Sequence, residues 1–286
     1  MIEIKIQKEL FGTRENTHLS LDINISIQKG EFVALSGASG TGKTTLLNIL
    51  AGLQDADGSI KVDGEQWLEK NKSLAPQKRS IGFMFQDYAL FDNMSLLENL
   101  LFVKKDQDLA LRLLKMTGLE ALQSRYPKTL SGGQKQRLSL CRSIMSQPKL
   151  LLLDEPLSAL DPEMRTQLQE EILALHKEFG TTTIMVSHDP SEIYKLASRV
   201  LVLNKGKITQ DGEPKEVLLQ TKGSQKFSFR GELLELKKVD IIYLAVVAIG
   251  QQLVEIVLSY EESKDLQVGE KVAISTKAFS PTLTHI

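Results

Sequence analysis

The chain has 286 residues, 42% hydrophobic and 25% charged, a composition that excludes a disordered polymer and allows one large domain plus a small one. A net charge of −1 excludes the broadly basic surface expected of a nucleic-acid-binding protein. The single cysteine, Cys141, excludes an internal disulfide and fits a reducing compartment.

Met1-Ile-Glu-Ile-Lys-Ile6 alternates apolar and polar residues, which predicts a strand and supplies no signal-peptide core. Phe32–Ser36 predicts a second strand running into a glycine-rich turn, and Thr44–Leu53 a buried helix. Residues 87–148 differ in character, mainly helical with apolar positions such as Leu96, Leu97, Leu100, Leu101, Leu111, Leu113 and Leu114, and read as an inserted helical lobe. Leu150–Leu153 is apolar throughout, as expected of a central parallel strand buried on both faces. Asp161 and Pro162 open a helix through Met164, Leu168, Ile172, Leu175 and Phe179, which Gly180 ends before a strand at Thr183–Val186.

This alternation predicts an α/β fold with a mostly parallel sheet. A polar linker follows near Thr221–Lys226. Short alternating strands at Leu233–Leu236, Ile241–Ala248, Leu253–Leu258 and Lys271–Ser275 then predict a small β-barrel over 231–286. The longest apolar stretch, Val239–Ile249, contains Asp240 and is shorter than the ~20 residues a spanning helix needs. Any membrane connection is therefore expected to run through a partner.

Gly37-Ala38-Ser39-Gly40-Thr41-Gly42-Lys43-Thr44 fits G-x-x-x-x-G-K-[ST] between a predicted strand and a predicted helix. Its glycines let backbone N–H groups turn around phosphates, and the helix N-terminus, with Thr45 in its first turn, adds positive potential. Lys43 is expected to reach the β- and γ-phosphates and the Thr44 hydroxyl to ligate Mg²⁺. Asp154 and Glu155 end the apolar strand: the first is placed for the metal and the second to orient and deprotonate water. Ser131 and Gln134 form a capping box at a helix start, while Gly132 and Gly133 suggest close approach of a second phosphate to that N-terminus. Two phosphate-binding surfaces in one chain are most simply reconciled by a head-to-tail homodimer that shares two nucleotides.

The phosphate loop, Leu130-Ser-Gly-Gly-Gln134, Leu153-Asp-Glu-Pro156, Ser158-Ala-Leu-Asp161 and His188 occur in the order and spacing of the ATP-binding cassette family. The chain resembles that family over 1–225, which implies a P-loop NTPase core, ATP and Mg²⁺ as cofactors, and ATP hydrolysis coupled to transport. The resemblance casts Gln86 as a hinge glutamine touching Mg²⁺ or the attacking water, and His188 as the switch residue on the γ-phosphate. It places Asp161 at the dimer interface, although a plain N-cap suits that residue too. Ala38 falls at a free position. For the aromatic that stacks on adenine the nearest candidate is Phe11, which also suits a core position, with His18 a second choice.

The family further implies integral membrane permease subunits docking in a groove around Gln86–Leu101, and a surface or periplasmic substrate-binding protein acting indirectly. The location it implies is peripheral, on the cytoplasmic face of the membrane. The C-terminal segment, through Leu253–Ser259, Leu266–Glu270 and Ile274–Ser280, resembles the OB-like Mop/TOBE-type barrels of molybdate and tungstate importers. Ser275 and Lys277 would share a strand face there and offer an oxyanion a hydroxyl and a cation. A barrel that only joins subunits, a different cargo (sulfate, ferric iron, sugar or polyamine) and a stand-alone cassette with a non-transport partner are the alternatives.

Overall fold

Ile2, Ile4 and Ile6 are all buried while Glu3, Lys5 and Gln7 between them face water, so the first strand is committed by its alternation to a sheet with one covered face. The computed structural model describes residues 1–11, 18–70, 72–158, 160–218, 225–249 and 252–277. It divides into two compact units, Met1–Leu218 and Leu219–Ile286.

The strands of the first unit are β1 (Ile2–Phe11), β2 (His18–Ile27), β3 (Phe32–Ser36), β4 (Asp57–Val62), β5 (Glu65–Glu69), β6 (Lys72–Ser73), β7 (Ile81–Met84), β8 (Leu150–Asp154), β9 (Thr182–Val186), β10 (Arg199–Asn204) and β11 (Lys207–Gly212). Its helices are α1 (Lys43–Ala51), α2 (Leu96–Val103), α3 (Gln107–Met116), α4 (Gly132–Ile144), α5 (Pro162–Phe179), α6 (Pro190–Leu196) and α7 (Pro214–Leu218). Among the described residues these strands form one sheet in the order β6-β5-β4-β1-β2-β11-β10-β3-β9-β8-β7.

Only β2/β11, β10/β3, β3/β9, β9/β8 and β8/β7 pair in parallel; the other five neighbours are antiparallel. The expected mostly parallel sheet is therefore half antiparallel. Tight hairpins are the reason. Asp63-Gly64 joins β4 to β5 with φ of 47° and 85°, and Lys205-Gly206 joins β10 to β11 with φ of 46° and 78°. Positive φ at both central residues matches the twist of the flanking strands.

The inner strands explain their own composition. On β8, Leu150 and Leu152 point into the core shared with α1 and β1, while Leu151 and Leu153 point into the core built by α2–α5. With both faces buried, every position is apolar. Residues 87–148 are helical as expected, with α2, α3 and α4 packed through Leu96, Leu100, Leu113, Leu114 and Leu138.

Arg79 ties the two halves of this unit together. Its guanidinium donates to the carbonyls of Ile49 and Leu50 at the end of α1, to those of Leu74 and Trp67, and to Ser73 Oγ, and it lies over the Trp67 ring. Trp67 is fully buried, and burial lowers the Arg79 pKa from its ordinary value. A cation on the last carbonyls of a helix complements its negative end.

In the second unit, β12 (Gln225–Val239), β13 (Ile242–Ile249), β14 (Gln252–Leu258) and β15 (Lys271–Lys277) form an antiparallel sheet in the order β14-β13-β12-β15, with α8 (Tyr260–Ser263) after β14. Leu233, Ala245 and Val247 form its small core. The expected closed barrel is not seen: among the described residues β14 and β15 are edges, because the pairing that would join them is absent. Gln225 and Lys226, expected in the linker, begin β12, and the rest of that linker lies outside the described residues. Ser275 and Lys277 lie on β15 in register with β12, but their side chains fall outside the described residues. No described helix is long and apolar enough to cross a membrane.

Candidate functional site

The phosphate loop links β3 to α1 through backbone that side chains resist. Gly37 has φ of 147°, and a Cβ there would lie 2.2 Å from the Leu203 carbonyl oxygen. Gly40 and Gly42 follow at 77° and 100°, and Gly42 is the N-cap of α1. No side chain caps that N-terminus and no acidic residue sits in its first turn, so its bare N–H groups and the helix dipole face the loop. The Ala38 carbonyl accepts from Thr41 Oγ1 at 2.9 Å. Lys43 Nζ donates to the Gly37 and Ala38 carbonyls, each at 2.8 Å, so the ammonium spans the mouth of the loop. Ala38, Ser39, Gly40 and Thr44 are exposed, and Thr45 is half-buried.

The pairing of β8 with β9 and β7 delivers the carboxylates to this loop. Thr44 Oγ1 donates to Asp154 Oδ1 at 3.4 Å. Asp154 is buried; burial and the adjacent Glu155 carboxylate hold its carboxyl above the usual range, against the Thr44 hydrogen bond and the Lys43 ammonium. Glu155 sits at φ 48°, a left-handed conformation that residues with a Cβ disfavour. Its N–H donates to Val186, and its carbonyl accepts from the Ser158 N–H and hydroxyl, so the turn is fixed at both ends. His188 Nδ1 lies 3.7 Å from Glu155 Oε1 at the end of β9.

A cleft of about 160 Å³ beside these two is lined by Ser158, Arg165, Asp189 and Glu192 as well. The Ser187 hydroxyl donates to Glu192 at 2.6 Å and accepts from the Asp189 N–H, and Arg165 reaches both Asp189 and Glu192. Burial raises the Glu192 carboxyl above its usual range. This support for His188 was missed in the sequence, where Asp189-Pro190, a cap followed by a first-turn proline, was the available signal.

Gln86 leaves the end of β7, whose Met84 is opposite Leu153, so it is exposed at the sheet edge that carries Asp154 and Glu155. Tyr88 and Ala89 follow with φ of 63° and 46°. Phe11 ends β1 opposite His18, and both side chains lie outside the described residues.

Ser131 caps α4 in the expected box: its hydroxyl accepts from the Gln134 N–H, and Gln134 accepts from the Ser131 N–H. Among the described residues no hydrogen bond joins Ser131, Gly132 or Gly133 to the phosphate loop. The two glycines part company. A Cβ on Gly133 would stand 2.6 Å from Met164 Sδ, so α5 accounts for that glycine within the chain. Gly132 is exposed and has only the Tyr88 hydroxyl within 4 Å of that position, at 3.9 Å. Gln136 donates to the Pro156 carbonyl, and Arg137 pairs with Glu171 of α5 at 3.1 Å, tying α4 to the segment after Glu155. Asp161 caps α5 through the Met164 N–H.

On a different face, Met94, Glu98, Leu101, Phe102, Lys105 and Gln107 line an open cleft of about 490 Å³. It overlaps the expected docking region and extends past Leu101.

The family model described as ABC transporter matches residues 21–158. The chain is 37% identical over 278 residues to the spermidine/putrescine import ATP-binding protein PotA of Clostridium novyi, covering 94% of this chain and 78% of that protein. It is 43% identical over 225 residues to the sulfate/thiosulfate import ATP-binding protein CysA of Bacillus cereus, covering 74% of this chain and 62% of the other. Several curated relatives are longer, and the chain spans 59% to 62% of their length. A dimeric ATP-binding cassette in a post-hydrolysis state with ADP and Pi superposes with a TM-score of 0.64 at 28% identity, over 75% of this chain and 99% of that one.

Proposed function

Because the chain belongs to the ABC transporter ATP-binding family, we propose that it is the ATP-hydrolysing subunit of an importer and works as a two-fold dimer. The observation that carries the reading is the meeting of the first turn of α1 with the end of β8, where Thr44 touches Asp154.

In this reading Lys43 exchanges its two carbonyl partners for phosphate oxygens, trading neutral acceptors for charged ones. The bare N–H groups of α1 hold the same phosphates. Thr44 and Asp154 suit Mg²⁺, since a hydroxyl and a carboxylate are hard oxygen donors, and a cation relieves the burial of the Asp154 charge. When bound, the ion neutralises charge on the β- and γ-phosphates. Glu155 takes a proton from the attacking water as the γ-phosphoryl leaves ADP to become inorganic phosphate. His188 steadies the γ-phosphate beside Glu155, and Gln86 lines up the water. The first turn of the partner's α4, at its Ser-Gly-Gly, closes each site.

The apolar cleft around Met94 and Phe102 receives a cytoplasmic segment of the membrane permease, which holds the protein peripherally at the cytoplasmic face. The cargo we favour is a polyamine rather than molybdate or tungstate. The alignment that spans 94% of the chain, the C-terminal unit included, is with a spermidine/putrescine import protein. Sulfate or thiosulfate is the second reading, supported by the CysA relative. An oxyanion at Ser275 and Lys277 belongs to that second reading.

The test is to isolate the chain from solubilised membranes with its integral membrane partner. The complex is then assayed for ATP hydrolysis and uptake with spermidine, putrescine, sulfate and molybdate. Polyamine uptake driven by ATP is the expected outcome. Recovery without any membrane protein would favour a stand-alone cassette.

A further inference from the structure

The hinge after β7 is the most strained segment near the site. Tyr88 and Ala89, two successive residues with a Cβ, both occupy left-handed backbone. Such a conformation persists only where neighbours impose it. Those neighbours come from one helix. Ser139 Oγ of α4 donates to the Tyr88 carbonyl at 3.0 Å, and Arg142 Nη1 of α4 donates to the Ala89 carbonyl. The Arg142 guanidinium also lies 4.4 Å from the centre of the Phe91 ring, which packs edge-on against Phe102. Ser139 and Arg142 are three residues apart, so they share a face of α4. At the start of the same helix, the Tyr88 hydroxyl lies 3.9 Å from where a Cβ on Gly132 would stand.

We propose that Ser139 and Arg142 are positioning residues that clamp the Tyr88–Ala89 backbone to α4, so that Gln86 and the Ser131-Gly132 turn move as one piece. The inference rests on the reading of Gln86 given above. Without the clamp, the two left-handed residues relax toward ordinary backbone and Gln86 leaves its place, whereas the phosphate loop, held by β3 and α1, is untouched. The clamp therefore acts on turnover and not on nucleotide affinity. It also connects Phe102, in the cleft assigned to the permease, to the hinge through Phe91 and Arg142.

The experiment compares the full-length chain with Arg142→Ala, Ser139→Ala and Arg142→Ala/Ala89→Gly. Amide hydrogen exchange is followed over residues 85–91, alongside ATPase kinetics and thermal unfolding. A lost hydrogen bond from a charged donor predicts about tenfold faster exchange in Arg142→Ala, with kcat lowered by a similar factor and KM for ATP unchanged. Ser139→Ala, the milder change, shifts both in the same direction by about threefold. Glycine tolerates left-handed backbone, so Ala89→Gly in the Arg142→Ala background should recover a good part of both effects. General damage to packing would not be rescued in this way. Unchanged exchange at 85–91 in both single variants, or no rescue by Ala89→Gly, overturns the clamp. Gln86→Ala separates the two readings: undiminished kcat there refutes the role of Gln86, while the exchange data still decide the clamp.

Discussion

His188 Nδ1 lies 3.7 Å from Glu155 Oε1, so two side chains expected to serve one phosphate are already neighbours within a single chain. Their loops reach that position from adjacent parallel strands, β9 and β8, each ending beside the phosphate loop. The first prediction follows from that placement. Glu155→Gln keeps the shape and removes the base, so hydrolysis should fall by about 10²–10⁴-fold while ATP still binds. With the nucleotide trapped, the variant should elute as a dimer in Mg-ATP on a sizing column. Wild-type turnover, or a monomer in Mg-ATP, refutes the assignment.

Shared sites make a second prediction. Lys43→Ala disables the phosphate loop and Ser131→Arg the opposing helix turn, so each homodimer should be inactive. Mixed in equal amounts, half of the dimers carry one intact composite site, and about a quarter of wild-type ATPase should return. No recovery on mixing, with both proteins folded, is the result that would reject sites built from two chains.

The two glycines that open α4 should behave differently. Gly133→Ala sets a methyl group 2.6 Å from Met164 Sδ, so the Met164 side chain must yield, and denaturant stability should fall below that of Gly132→Ala. Gly132→Ala meets open space, and alanine favours a helix over glycine by roughly 0.5–1 kcal/mol, so stability should hold or rise. In the shared-site reading its ATPase should nevertheless drop, because the partner's nucleotide approaches there. Full activity in Gly132→Ala would remove that requirement.

The buried Glu171–Arg137 pair gives a pH prediction. Burial pushes the Glu171 carboxyl up to about 7 despite Arg137, from an ordinary value of 4.5. The folded state then holds a proton that the unfolded state has released between those two values. Stability therefore declines as pH rises through that window, by an amount on the order of 2–3 kcal/mol. Glu171→Gln abolishes this contribution, so the stability difference between wild type and variant should move against wild type from pH 5 to pH 8. Unfolding curves at both pH values check it; parallel pH profiles would show that Glu171 is ionised throughout.

Much of the site could be read before any coordinates, because its parts are local. The phosphate loop lies between a strand and a helix, Leu150–Leu153 is buried on both faces, and Ser131–Gln134 closes a capping box, and each of these features is complete within a few consecutive residues. What escaped depends on distant partners. The strands β4–β6 are edge-side and half exposed, so Ile60, Val62, Trp67 and Leu68 leave only a broken apolar pattern. The neighbour of Gly133 is a sulfur atom 31 positions away, and the left-handed Tyr88 and Ala89 take hydrogen bonds from α4, some 50 positions on. Closure of the expected barrel is likewise not seen among the described residues: alternation forecasts strands but carries no information on whether the outer two meet.

Arg79 gives α1 the mechanics of a beam clamped at one end. The far end of the helix is bolted through Ile49 and Leu50 to the segments around Trp67 and Ser73, while the near end holds the phosphate loop about 13 Å away. In the proposed reading, a load that a nucleotide places on Lys43 and Thr44 would pass along the beam to β5 and β6 in the antiparallel half of the sheet. The helical region packs instead on Phe32, Met84, Leu151, Leu153 and Met185, all from the parallel half of the sheet, and so lies off that load path.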